Sequence, residues 1–447
     1  MMFQNKSFGI SSDAVSPSVN PFIVPIEDAT ALKVRIHQRL IDILNLSLLE
    51  KTPRDTLRQE IRGAVGALLA DEKRVLSFAQ LDQLIDDVLD ELLGLGPLEP
   101  LLKDDTVSDI LINTPSKVYV ERHGRIEKTD VKFQDSRHLI RVINKIVSAV
   151  GRRVDESQPM VDARLADGSR FNAIIPPLAV DGPLVSIRKF SRKPITMQQL
   201  IAFGSLSQEM AEILIAAVTA RRNILISGGT GSGKTTLLNA LSSFIGSAER
   251  IVTIEDSAEL QLQQDHVGRL ETRPPNIEGR GEITQRDLVR NALRMRPDRI
   301  IVGEVRAGEA FDMLQAMNTG HDGSMTTVHA NTPRDALSRI EQMIGMAGLD
   351  ISPTSIRQQI STAINVVIQI ERMDDGRRRV VSIQEVVGME EMTISTQEIF
   401  RFRRGGRLET GEIIGGFEAT GIRPKLLDIM KARGLQMPRL LQPFVQG

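Results

Sequence analysis

Cysteine and tryptophan are absent from the 447 residues, and one tyrosine stands beside 14 phenylalanines. Without cysteine there can be no disulfide framework and no thiolate-ligated metal, a composition that fits a reducing cytosol. So few aromatics argue against a surface that stacks the bases of a single strand. An excess of one charge is missing too. Lys and Arg number 56 against 57 Asp and Glu, a formal charge of −1, so no global basic field advertises a nucleic-acid partner. The longest apolar stretch, near Ile213–Val218, is too short to cross a bilayer, and the first residues lack the apolar core of a secretory signal. Any membrane contact is therefore expected to be peripheral.

What the chain does have is a dense glycine cluster. Gly228, Gly229, Thr230, Gly231, Ser232, Gly233, Lys234 and Thr235 fit G-x-x-x-x-G-K-[ST], the phosphate-binding loop. The β-rich run Asn223–Ser227 precedes it, and a segment with helical spacing from Thr236 to Leu241 follows. Glycines let successive N–H groups turn inward and form an anion nest at a helix N-terminus. Lys234 would reach the β- and γ-phosphates of a nucleoside triphosphate, and the Thr235 hydroxyl would ligate Mg²⁺. Gly228 to Thr236 are thus the candidate nucleotide-binding residues.

The length suggests two or three domains. Residues 1–29 lack periodicity and read as a flexible arm. Residues 30–96 carry three amphipathic stripes that would bury one another as a helical bundle: Leu32–Leu49, a helix capped at Thr52-Pro53, and one opening on a Ser77/Gln80 capping box. From 97 to 194 the period changes to that of a smaller mixed α/β domain. Its expected strands are Val107–Asn113, Lys117–Arg122, Arg164–Asn172 around the Asp167-Gly168 turn, and Leu184–Lys189, with a helix at Ser136–Val150. Ser191–Pro194 reads as a linker. In 195–447, helices alternate with the apolar strands Asn223–Ser227, Ile251–Ile254, Arg299–Val302 and Asn365–Ile370. That alternation implies a doubly wound sheet with the loop at a strand's carboxyl end. Ile364–Val387 should form a hairpin around Asp374-Asp375-Gly376.

Two strands end in acids. Arg299–Gly303 leads into Glu304, in the manner of a Walker B strand, and Ile251–Ile254 leads into Glu255 and Asp256, with Glu259 a turn later. Glu304 is assigned to positioning or deprotonating the attacking water, but Glu255 could serve equally, and the residues alone leave the base open. One acid should fix Mg²⁺ or its waters. Met325–His329 reads as a strand beside Walker B, with His329 placed to sense a terminal phosphate. His321 is as readily a capping histidine. Phosphoryl transfer also needs cations against the γ-phosphate, and the candidates are Arg164, Arg170, Arg188, Arg273, Arg294 and Arg296. The runs Arg377-Arg378-Arg379 and Arg401–Arg404 read as solvated or interface charge.

The phosphate loop, Thr253-Ile254-Glu255-Asp256, Val302–Arg306 and Thr326–Asn331 resemble, in this order, the Walker A, Asp box, Walker B and His box of type II/type IV secretion ATPases. Gly151–Ser157, Val161–Arg164, Asp167–Arg170, Ile187–Phe190, Arg286–Asp298 and Ala419–Pro424 resemble the CpaF-type branch that drives the Tad/Flp pilus. The resemblance spans roughly 30–435. It implies an α/β fold: a RecA-like P-loop ATPase domain preceded by a smaller mixed α/β, PAS-like domain and an N-terminal helical bundle. It further implies a cytoplasmic homohexamer, peripheral to the inner membrane and docked on a platform protein, hydrolysing ATP with Mg²⁺ to drive pilus assembly. No nucleic acid and no small-molecule substrate besides ATP are expected. From the six arginines it selects Arg170 and Arg188 as those brought to the phosphates, alongside Lys234, Thr235, Glu304 and His329. A DNA-translocating motor and an ATP-binding scaffold without turnover are the competing classes.

Overall fold

The computed structural model describes residues 54–436, apart from 72–75, 123, 166, 191–193 and 276–278, together with Ile36 and Pro438. The arm, the Leu32–Leu49 stripe except Ile36, the Thr52-Pro53 cap and most of the linker lie outside these residues. The described chain forms two compact units. One holds the residues up to Leu101 together with Val131–Lys145; the other holds Leu102–Asp130 and everything from Ile146 onward.

In the first unit, helices Arg54–Asp71 and Phe78–Leu92 pack through apolar positions three and four residues apart. Leu57, Ile61, Val65 and Leu69 meet Leu84, Ile85, Val88 and Leu89, and Ile36 is buried with them. The capping box forms as expected: Ser77 Oγ accepts from the Gln80 amide, while the Gln80 side chain accepts from the Ser77 amide.

The second unit contains two sheets. The smaller comprises β1 (Val107–Thr114), β2 (Lys117–Arg122), β3 (Arg125–Lys128), β4 (Met160–Arg164), β5 (Arg170–Ile174) and β6 (Leu184–Arg188), in the order β3-β2-β1-β6-β5-β4 with all pairs antiparallel. Alternation gives it one apolar face, with Ile110, Ile112, Val118, Val120, Phe171, Ala173, Val185 and Ile187 buried, and one polar face. The hairpin around Asp167-Gly168 begins at Met160 and ends at Ile174, so its strands flank the expected Arg164–Asn172 segment rather than fill it.

The larger sheet holds β7 (Ile224–Ser227), β8 (Ile251–Glu255), β9 (Val267–Glu271), β10 (Arg299–Val302), β11 (Met325–Val328), β12 (Val366–Arg372), β13 (Arg378–Glu390), β14 (Thr393–Arg407) and β15 (Ile413–Ala419). Its order is β15-β14-β13-β12-β7-β11-β10-β8-β9. Strands from β12 to β9 are parallel, whereas β12 to β15 form an antiparallel meander. The inner parallel strands β7, β8 and β10 read as almost unbroken apolar runs because both faces are covered. Ile224, Ile226, Ile251, Ile301 and Ile368 join one core layer with helices Gln208–Thr219 and Lys234–Ser242. Leu225, Val252, Ile254, Ile300, Val302 and Val367 join the opposite layer with helices Glu309–Asn318, Pro333–Met346 and Pro353–Ala363. This is the expected α/β, RecA-like arrangement. β9, β14 and β15 carry little readable alternation, because glycine and arginine interrupt it.

Arg299, at the start of β10, is the largest fully buried side chain among the described residues. Its Nε and Nη2 donate to both Glu249 oxygens at 2.8 Å each, and its Nη1 to the Val218 and Gly323 carbonyls. Removing Arg299 leaves Glu249 with only the more exposed Arg221 and strips two buried carbonyls of their donor. Arg299→Ala should cost about 3–5 kcal/mol, read as a shift of the urea midpoint by far-UV circular dichroism. A loss below about 1 kcal/mol would mean that the pair is solvated.

Candidate active site

β7 ends at Ser227 between β11 and β12, and the chain turns through the glycines into the helix Lys234–Ser242. Gly231 and Gly233 adopt φ of +67° and +101°, where a side chain would be strained. A Cβ on Gly228 would collide with the Ile370 carbonyl of β12 and approach Ser232 Oγ to 2.6 Å. Lys234 is buried under the loop, where Nζ donates to the Gly228 and Gly229 carbonyls at 3.0 Å. Burial pulls its pKa down, and the nearby Glu304 carboxylate opposes that shift.

The two candidate bases have opposite surroundings. Glu304, just past β10, lies 4.0 Å from Lys234 Nζ, 3.4 Å from His329 Nδ1 and 2.5 Å from Arg306 Nη2. Burial would raise its pKa, but the hydrogen bond and charge of Arg306, with Lys234 and His329, hold it below the usual carboxylate range. Arg306 also reaches Asp256 at 2.8 Å and so ties the ends of β8 and β10 together. Glu255, ending β8, is 3% exposed. Its Oε2 accepts from the Glu259 and Leu260 amides at 2.7 and 2.9 Å, while Oε1 is buried without a hydrogen bond. Burial pushes its pKa up to about 7 against those amides. A Cβ on Gly303 would come within 2.9 Å of Glu255 Cγ, so this glycine lets the two strand ends close up.

His329 Nε2 lies 3.1 Å from Thr230 Oγ1, which links the loop to Glu304 through one imidazole. His321 takes the capping role: its Nδ1 sits 3.3 Å from the Ala316 carbonyl near the end of its helix.

The arginine candidates separate. Arg170 and Arg188 line a cavity of about 210 Å³ whose other wall includes Thr235, Thr236, Asn239 and Glu259. Arg170 Nε stands 2.9 Å from Glu259 Oε1 but off the hydrogen-bond line, so that buried N–H is unsatisfied. Arg188 bonds Asp109 at 3.2 Å. Arg164 is spent on Glu271 and the Ala258 carbonyl, both at 2.6 Å. Arg273 bonds the Gly281 carbonyl, Arg294 that of Arg290, and Arg296 sits at a positive φ; none of these three lines the cavity.

The reading of Arg377–Arg379 as solvated or interface charge needs correction. Arg377 is exposed and pairs with Glu412. Arg378, however, donates from Nε to the Gly231 carbonyl at 2.8 Å, and Arg379 is buried beside Asp375 at 3.1 Å. A run of three arginines looks uniform in sequence, but strand alternation and the adjacency of β12 to β7 send its members to different places.

Among the described residues no cluster of three or more metal-ligating side chains occurs. Mg²⁺ takes few protein ligands beside phosphate and water. The Thr235 hydroxyl on the cavity wall and the strand-end carboxylates are hard oxygen donors of the right kind.

A family model described as type II/IV secretion system protein matches residues 91–413. A putative conjugal transfer protein of Mycobacterium tuberculosis is 40% identical over 299 residues, covering 66% of this chain and 84% of that protein. The type IV secretion system protein VirB11 of Bartonella henselae is 32% identical over 333 residues, covering 65% and 91%. Among solved structures, the VirB11 ATPase from the Brucella suis type IV secretion system aligns at 29% identity with a TM-score of 0.36, covering 65% and 92%.

Because the folded chain holds a proton on Glu255 that the unfolded chain releases above the ordinary 4.5, its contribution to stability is complete below that pH and lost as pH rises through about 7. Glu255→Gln should therefore gain about 1–3 kcal/mol relative to wild type at pH 8, with the gain vanishing near pH 4.5. Urea midpoints at the two pH values test this. A pH-independent difference would mean that Glu255 is not held protonated.

Proposed function

The chain belongs to the type II/IV secretion system protein family and is an ATPase, and from that premise we propose that it grips ATP in the cavity between the phosphate loop and the six-stranded sheet. One observation carries the reading: Thr235 and Thr236 line one wall and Arg170 and Arg188 the other. The loop amides and Lys234 take the β- and γ-phosphates from one side. Arg170, with its unsatisfied Nε, and Arg188 take them from the other. Glu259 and Asp109 hold these arginines until phosphate outcompetes them. Thr235 and the strand-end acids would hold Mg²⁺, which neutralises phosphate charge when bound. Glu304, held ionised by Arg306, orients the attacking water, and His329 bridges it to Thr230. Glu255, with a free buried oxygen, is the second candidate for the base.

The phosphates thereby clamp the two sheets' domains, and hydrolysis releases the clamp, which is a two-state device suited to mechanical work. We assign that work to pilus assembly in a Tad/Flp system, by a cytoplasmic homohexamer held peripherally on an inner-membrane platform. The CpaF-like segments support this assignment. No helix among the described residues is long and apolar enough to cross a membrane. The names of the relatives favour a second reading, an ATPase of a conjugal-transfer or type IV secretion apparatus. Deleting the gene separates them: loss of surface pili with conjugation intact supports the first, and the reverse supports the second.

Lys234→Ala should abolish binding of a fluorescent ATP analogue, and retained binding would remove the loop from the site. Glu304→Gln should bind ATP with turnover lowered by about 10²-fold or more. The pH profile decides between the acids. Turnover flat from pH 6 to 8 identifies Glu304, already ionised throughout, whereas turnover rising with an apparent pKa near 7, and still doing so in His329→Asn, identifies Glu255.

A further inference from the structure

Cross-strand register places five charged side chains in one transverse row of the six-stranded sheet. Arg164 stands opposite Arg170, Arg170 opposite Arg188, Arg188 opposite Asp109, and Asp109 opposite Glu121. Directly paired residues share a face, so three cations and then two anions run across the polar face. Like charges directly opposite destabilise a sheet, and this row contains three such pairs. Compensation comes from the nine-stranded domain in complementary order. Glu271 lies 2.6 Å from Arg164 and Glu259 2.9 Å from Arg170. At the other end Arg372 and Arg378 each lie 3.7 Å from Glu121 Oε1. Arg188, in the middle and on the cavity wall, is balanced from within the sheet by Asp109.

Arg372 and Arg378 are themselves direct partners across β12 and β13, another like-charge pair that shares the one carboxylate. Burial, then the Arg372 charge, holds Arg378 below the ordinary arginine range against the pull of Glu121. Two further bonds fix this end. Arg378 Nε holds the Gly231 carbonyl of the phosphate loop, and Arg372 Nη2 donates to the Gly124 carbonyl between β2 and β3.

We infer that Glu121, Arg372 and Arg378 form a positioning contact that keys the six-stranded sheet to the phosphate loop, so that Arg170 and Arg188 reach the phosphates in register with Lys234. The inference rests on the cavity being the nucleotide site. Arg378 meets the loop at the Gly231 carbonyl, and Glu121 meets the charged row beside Asp109, so they act through the loop and the sheet. Glu121 sets how often the two walls meet in reacting geometry, which governs turnover, and not how tightly the loop holds nucleotide.

A double-mutant cycle on the full-length protein tests this, with ATP turnover and the Kd of a fluorescent ATP analogue measured in parallel. Glu121→Gln should lower kcat about tenfold while Kd stays within about threefold, Arg378→Gln should lower kcat at least as far, and the double variant should be no slower than the slower single one. Unchanged kcat in either single variant, or losses that multiply in the double, would overturn the contact. If a single variant does not fold, the exchange Glu121→Arg with Arg378→Glu keeps two cations and one anion. It should then turn over faster than Glu121→Arg alone, and equal or slower turnover would also overturn the proposal. Failure of the nucleotide-site reading shows separately, as analogue binding that survives Lys234→Ala.

Discussion

The seating of the phosphate loop against β12 is the constraint on which the site depends. Gly228 passes so close to the Ile370 carbonyl that no side chain fits there, and this fixes where the loop leaves the sheet. The same β12 then runs two residues on to Arg372, opposite Arg378, whose guanidinium holds the far side of the loop at Gly231. One edge of the parallel sheet thus sets the anion nest and its charged support together. An anion site built from backbone N–H groups needs this rigidity, because its donors have no rotamers with which to correct a misplaced turn.

The two strand-end acids illustrate how environment separates like groups. Glu255 and Glu304 close neighbouring strands, yet one is buried on backbone amides and pushed towards neutrality while the other is surrounded by Arg306, Lys234 and His329. Groups driven apart in pKa within one cleft are the usual raw material of acid–base chemistry. The arginines follow the same logic. Arg164 is committed to Glu271 and the Ala258 carbonyl, whereas Arg170 and Arg188 line the cavity, each beside a single carboxylate.

Much of this was legible in the chain. The loop carries its own geometry in its glycines. The strands β7, β8, β10 and β12 announce themselves as apolar runs because both their faces are buried, and Glu255 and Glu304 follow directly from where two of those runs stop. The helical stripes around Leu57–Leu69 and Leu84–Leu89 were readable from period alone. What could not be read depends on partners far apart in sequence. Arg378 looked solvated because nothing local shows that β13 folds back beside the loop. Arg164 and Arg170 lie six residues apart and only the family resemblance prefers Arg170; the hairpin register and the neighbouring Glu271 and Glu259 supply the physical difference. β14 and β15 escaped notice because Arg401–Gly406 offers little apolar alternation.

The central claim is that a triphosphate is gripped from two sides, by the loop and by arginines of the preceding sheet. The most direct measurement is an experimental structure with a non-hydrolysable ATP analogue and Mg²⁺. The β- and γ-phosphates should lie within about 3 Å of Lys234 Nζ and the loop amides, with Arg170 or Arg188 turned from its carboxylate onto the γ-phosphate. A triphosphate bound elsewhere, or held by the loop while both arginines stay on Glu259 and Asp109, would contradict it.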